Sequence, residues 1–337
     1  METKLLSNST ADLQKAAHLL KEGNVVGIPT ETVYGLAADA RNPEAVRQIF
    51  AAKGRPADNP LIVHIAKLEE LESVAVSVPE LALKLAEKFW PGPLTMILPK
   101  HPSIPTITSG GLDTVGVRMP SHLVARKLIE LSGVPIAAPS ANISGYPSPT
   151  TAQHVMRDMH GKIAAVVDGG DCCVGVESTV IALEGEDSVR ILRPGYVTKE
   201  MLETVVPHVT LDKAILHQLQ EGQIVRSPGM KYQHYSPHAH VTLIEGRWPE
   251  FAAWVQQHAE AGTYALVFDG EGADLSVPYL TYGTGDAEQA HQVFAKLREL
   301  DDIGAKRVFV RAPNPNGIGL AVYNRVIRAA GFEVIQV

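Results

Sequence analysis

The stretch Ser9–Thr30, STADLQKAAHLLKEGNVVGIPT, decides the fold class. Ser9 and Thr10 are cap residues by type, Leu13, Ala16, Ala17 and Leu20 recur on one helical face, and Gly23 suits the position just past a helix end. VVGIP then reads as a buried strand. The unit repeats: Asn42 can cap, Pro43 suits a first helical turn, Gly54 suits its end, and LIVHI supplies the next strand. Helices alternating with apolar strands predict an α/β protein.

Working outward, apolar runs at 94–98, 115–119, 134–138, 164–168, 179–183 and 189–192 alternate with helical patterns at 79–89, 121–132 and 150–159. Thr150 with Gln153 predicts a capping box for the last of these. Residues 1–208 are expected to form one α/β domain on a sizeable twisted sheet, whose short later runs leave room for antiparallel edges. In 209–240 the run RSPGMKYQHYSPHAH reads as an ordered linker or flap, because Pro228 and Pro237 interrupt helix and strand ladders. From Val241, the runs VTLIE, YALVF and RVFVR alternate with helical stretches near 249–260, 286–300 and 317–330, predicting a smaller α/β domain over 241–337.

Composition narrows the function. The chain has 337 residues, 45% hydrophobic and 20% charged, which favours two packed domains over disorder. A formal charge of −7 argues against a protein that coats nucleic acid, so an anionic ligand should be small and held in a local positive pocket. The two cysteines, Cys172 and Cys173, are adjacent; they offer neither a disulfide framework nor metal-ligand spacing, and no protein metal site is expected. There is no apolar signal core and no run of about 18 apolar residues, so no membrane role and a cytoplasmic location are expected.

Five clusters could carry chemistry. In IPTETVYGLAADA (28–40), Thr30 and Thr32 place hydroxyls just after a strand, where open α/β sheets bind ligands, and Glu31 and Tyr34 either share that mouth or form a polar turn. In KGRPADNPLIVHI (53–65), Lys53 is a mobile charge, Arg55 a planar donor fork and Asn59 an amide suited to a ribose or phosphate oxygen; a solvated basic pair is the plainer reading. His64 is a site residue only if alternation turns it to the same cavity. Arg118 interrupts an apolar strand that Thr114 begins, and a buried arginine there needs a protein acid or a substrate carboxylate. PIAAPSANISGYPSPT (135–150) offers Ser140, Asn142 and Ser148 among small residues, and GVESTVIAL with ILRPG offers Ser178, Thr179 and Arg193, with Glu177 able to orient a metal or an arginine. No GxxxxGK[ST], GxSxG, GxGxxG or zinc motif is present, so phosphate binding must be built from scattered donors.

Those stretches, with FWPGPLTMIL between them, follow the order and spacing of the YrdC-type domain, and the whole chain resembles the long, two-domain threonylcarbamoyl-AMP synthases. The resemblance implies a twisted mixed sheet with a concave cavity and a smaller Rossmann-like domain. It also implies an ATP-dependent nucleotidyltransferase that joins L-threonine, bicarbonate or CO2, and ATP, with phosphate-bound Mg²⁺, and releases pyrophosphate. Separate transfer proteins would then modify adenosine 37 of tRNA. Carried over by motif, Lys53, Arg55, Asn59, Thr114, Ser140, Asn142, Ser148 and Arg193 resemble nucleotide-binding residues. Thr32, His64, Arg118, Ala138 (through its backbone) and Ser178 resemble the threonine side, and Lys53, Arg55 and His64 the catalytic set. Tyr232, His234 or Tyr235 of the linker would lie near nucleotide, and the small domain is expected to be dispensable for most of the chemistry. The rival reading is a double-stranded RNA or ribosome-binding protein, which requires a continuous basic surface.

Overall fold

A computed structural model describes residues 2–217 and 234–337. The first sheet has eleven strands: β1 (Lys4–Leu6), β2 (Val26–Ile28), β3 (Gly35–Asp39), β4 (Ile62–His64), β5 (Leu94–Pro99), β6 (Thr114–Arg118), β7 (Ile136–Ala137), β8 (Ala165–Val167), β9 (Thr179–Leu183), β10 (Ser188–Arg193) and β11 (His208–Leu211). Their spatial order is β1-β8-β2-β3-β7-β4-β6-β5-β9-β10-β11. The sheet is mixed: β4 and β6 run parallel, while β5 with β6 and β9 with β10 are antiparallel. β11 pairs in parallel with β10, so the first sheet runs through the break expected between 208 and 209. The local reason is that the run HVTL supplies a ladder partner for the otherwise open edge of β10.

The helices begin where small polar residues can satisfy their first N–H groups. Ser9 accepts from the Asp12 N–H at the start of α1 (Thr10–Lys21), and Asn42 accepts from Glu44 and Ala45 at the start of α2 (Pro43–Lys53). Gly54 ends α2 at φ 66°, a left-handed conformation that glycine adopts without strain. α3 (Glu80–Phe89), α4 (Leu123–Ser132) and α5 (Ala152–Met159) follow the expected periodicity. The cap of α5 is Thr151, which accepts from His154; the expected Thr150 is tied instead to the loop after β8, its carbonyl accepting from the Cys172 N–H. A short α6 (Lys199–Glu203) precedes β11.

Period-two alternation divides the cores. In β3, Leu36 and Ala38 join the core with α2, α3 and α5, whereas Ala37 faces α1 and α4. The α1 and α4 cover does not extend over β4 and β6, and that part of the sheet face forms a cleft.

The smaller sheet comprises β12 (His240–Glu245), β13 (Thr263–Val267), β14 (Tyr279–Thr281), β15 (Arg307–Arg311) and β16 (Val334–Gln336), in the order β14-β13-β15-β12-β16 and parallel throughout. α7 (Trp248–His258) covers one face, and α8 (Asp286–Asp302) and α9 (Gly319–Ala329) the other, the doubly wound arrangement that a buried parallel sheet requires. Val33, Val174 and Val176 of the first domain pack into the α8–α9 core, so the two domains share one apolar cluster beside the cleft. Among the described residues, no helix is long and apolar enough to cross a membrane.

Candidate active site

In β4, Val63 faces the core while Ile62 and His64 face the cleft; in β6, Val115 and Val117 face the core and Arg118 the cleft. The parallel register sets His64 directly beside Arg118. Arg118 is buried, and its charge is met by Glu31, Nη2 to Oε1 at 2.6 Å, with Nη1 donating to Thr32 Oγ1 at 2.9 Å and Nε to the Gly92 carbonyl at 3.3 Å. The protein acid therefore supplies the counter-charge that the sequence left open. Burial alone would raise Glu31, but the Arg118 guanidinium prevails and holds the carboxyl below its ordinary value. Burial, reinforced by Arg118, pushes His64 down to about 3, so its ring is neutral near pH 7; among the described residues its Nδ1 has no hydrogen-bond partner.

The end of α2 delivers Lys53 to the opposite wall. Its Nζ donates to the Ser140 carbonyl at 2.5 Å and the Asn142 carbonyl at 2.8 Å, which pins the loop after β7. Burial, then the neighbouring Arg55, lowers Lys53 well below the usual lysine range. Arg193 at the end of β10 donates from Nε to the Ser178 carbonyl at 3.1 Å and from Nη2 to Ser178 Oγ at 3.2 Å, while Thr95 Oγ1 sits 2.8 Å from the same hydroxyl. Among the described residues, the cleft is lined by Lys53, Arg55, Arg118 and Arg193 against one carboxylate, Glu177. Clustered cations in a low-dielectric recess suit a multiply charged anion.

The small domain reaches this cleft. Glu177 Oε1 accepts from Ser148 Oγ at 2.5 Å, and Oε2 accepts from Arg325 Nε of α9 at 2.7 Å. Away from the cleft, Arg298 of α8 forms a bidentate pair with Asp158 of α5 at 3.0 and 2.6 Å. His234 and Tyr235 line the cleft from the chain segment that enters the small domain. Burial, then Arg55, pushes His234 down to about 3.

Of the residues predicted from sequence, Thr32, Lys53, Arg55, His64, Arg118, Ala138, Ser140, Asn142, Ser178, Arg193 and His234 line one cleft. Ser148 stands behind it, on Glu177. Asn59 is fully buried next to Pro60, and neither atom of its side-chain amide has a hydrogen-bond partner among the described residues. Thr114 does not line the cleft: it begins β6, four residues before Arg118, and pairs with Pro99. Tyr232 lies outside the described residues. Sequence reasoning missed Arg325; the available signal was an Arg-x-x-Arg pair, Arg325 and Arg328, in a helix that is otherwise mostly apolar.

Comparison with known proteins extends this geometry over the whole chain. The family model described as Telomere recombination, covering Sua5, YciO and YrdC, matches residues 18–195, and that of the threonylcarbamoyl-AMP synthase C-terminal domain matches 197–331. The chain is 46% identical to a Pyrococcus abyssi threonylcarbamoyl-AMP synthase over 96% of its own length and 95% of the relative's. To the Bacillus subtilis threonylcarbamoyl-AMP synthase it is 44% identical, over 99% and 97% respectively. The crystal structure of P. abyssi Sua5 complexed with L-threonine superposes with a TM-score of 0.93 at 43% identity, covering 100% of both chains.

Proposed function

This chain belongs to the two-domain threonylcarbamoyl-AMP synthase family and makes that adenylate from ATP, and we propose how its cleft does so. The observation that carries the reading is the convergence of Lys53, Arg55 and Arg193 with the His64–Arg118 pair in one recess, on a chain matched end to end by a threonine-bound structure. L-Threonine sits toward Thr32, His64, Arg118 and Ser178, with the Ala138 backbone beside it. Its carboxylate shares the Arg118 guanidinium with Glu31. The triphosphate lies along Lys53 and Arg55, with Ser140, Asn142 and Arg193 around the nucleoside and α-phosphate, and His234 closing over it.

The threonine nitrogen attacks the carbon of CO2 and loses a proton to give a carbamate; with bicarbonate as the carbon source, the C–O bond breaks and water leaves. The carbamate oxygen then attacks the α-phosphorus in line; the bond from that phosphorus to the bridging oxygen breaks, and pyrophosphate leaves. The carbamate is labile in water, so both steps belong in one enclosed recess. His64, held neutral by burial, orients threonine through a hydrogen bond, and its depressed basicity makes it a poor proton store.

The residues also fit a Mg²⁺ ion that arrives on the nucleotide. Glu31 and Glu177 are already paired with arginines, and no group of three potential ligands occurs among the described residues, so phosphate oxygens would hold it. There it would offset phosphate charge, alongside Lys53 and Arg55. The adenylate would pass to separate proteins that act on tRNA.

The test is pyrophosphate release by the purified protein, with threonine and bicarbonate omitted in turn, and mass detection of the adenylate. Release that depends on both and coincides with that product is expected; ATP turnover indifferent to threonine would overturn the assignment of the cleft.

A further inference from the structure

Glu177 poses a difficulty for a cleft that must bind a triphosphate: it is a buried carboxylate lining the recess. Unpaired, it would repel the ligand. Burial would raise its pKa, but Arg325 and Arg193 hold it below the ordinary carboxylate range, so it is ionised. Arg193 already donates to Ser178, which leaves Arg325 as the side chain that donates to a Glu177 carboxylate oxygen at 2.7 Å from outside the first domain.

Arg325 is itself fixed on several sides. It is 0% exposed, its Nη1 donates to Asn324 Oδ1 at 2.8 Å, and its guanidinium lies 5.5 Å from the centre of the Tyr235 ring. Asn324 in turn donates to the Ile215 carbonyl at 2.6 Å, so α9 grips the chain that leaves the first sheet. With one Glu177 oxygen on Arg325, the other is free to accept the Ser148 hydroxyl at 2.5 Å, and Arg193 clamps the adjacent Ser178. The Glu177–Ser178 dipeptide is thus held by one arginine from each domain.

We propose that Arg325 of the small domain is a positioning residue for the synthase reaction: it neutralises and aims Glu177, and so keeps the cleft cationic toward ATP. The small domain is then part of the active site, against the expectation that most chemistry survives its removal. This inference rests on the synthase reading above, and its test separates the two.

Full-length wild type, R325M, R325Q, E177Q/R325M, E177Q/R325Q, R298M and E177Q/R298M are compared by pyrophosphate release, with ATP and threonine varied separately and folding checked by thermal melting. Adenylate formation by wild type tests the synthase reading alone. Given that, R325M should raise the KM for ATP by about 30-fold or more, the lower end of the cost of leaving a buried charge unpaired. E177Q/R325M should recover most of that loss, because the charge to be neutralised is gone. R298M loosens the same interface without touching Glu177, so adding E177Q to it should recover nothing. An ATP KM for R325M within about threefold of wild type would overturn the proposal. So would equal losses in R325M and R298M with no recovery by E177Q, which would make Arg325 a docking residue only. If R325M does not fold, R325Q, which also removes the charge but keeps an amide donor, is read against E177Q/R325Q by the same criteria.

Discussion

Replacing Arg298 by methionine tests the physics that joins the domains. Arg298 and Asp158 are 1% and 3% exposed, and two N–H···O contacts of 3.0 and 2.6 Å connect them. Arg298 also donates to the Pro147 carbonyl at 2.7 Å. Methionine matches the stem but strands a buried carboxylate and a carbonyl, so the expected loss is about 3–5 kcal/mol. The pair as a whole is worth much less, because both charges were desolvated to form it. R298M/D158L should therefore lie within about 1 kcal/mol of wild type, or above it. Urea unfolding followed by tryptophan fluorescence is the assay: of three tryptophans, Trp248 and Trp254 sit on α7, so the signal is weighted toward the small domain. A single-variant loss below about 1 kcal/mol, or a double variant no more stable than R298M, would refute the argument.

Three further outcomes are expected. His64 and His234 are each lowered from 6.5 to about 3, mainly by burial, so the unfolded chain binds protons that the folded chain does not. Their contribution is complete above about pH 6.5 and is lost as pH falls, by about 2 kcal/mol per histidine at pH 5; urea midpoints should show it, and a slope unchanged in H64Q would contradict it. Asn59→Leu removes a buried amide that has no hydrogen-bond partner among the described residues, so the melting temperature should hold or rise while the KM for ATP increases; a normal KM would take Asn59 out of the nucleotide site. Gly175 has φ +83°, and an added Cβ would lie 2.4 Å from His291 Cα of α8. G175A should cost about 2 kcal/mol or more in the same unfolding assay, and a neutral result would mean that α8 moves aside freely.

Much of this protein is written locally. Helix starts at Ser9 and Asn42, the glycine ends, and the alternation that turns His64 and Arg118 to one side depend on neighbours within a turn or a strand pair, and they are legible in the chain alone. So are the motif spacings that carry the family resemblance. What the sequence by itself could not decide is which charges are buried together. Glu31 and Arg118 read as a polar turn and an odd strand residue until folding brings them to 2.6 Å. Glu177 and Arg325 are 148 positions apart and meet only because the domains dock. A charge has the same letter whether water or a guanidinium surrounds it, and only tertiary structure, by removing the water, determines which partner it must have.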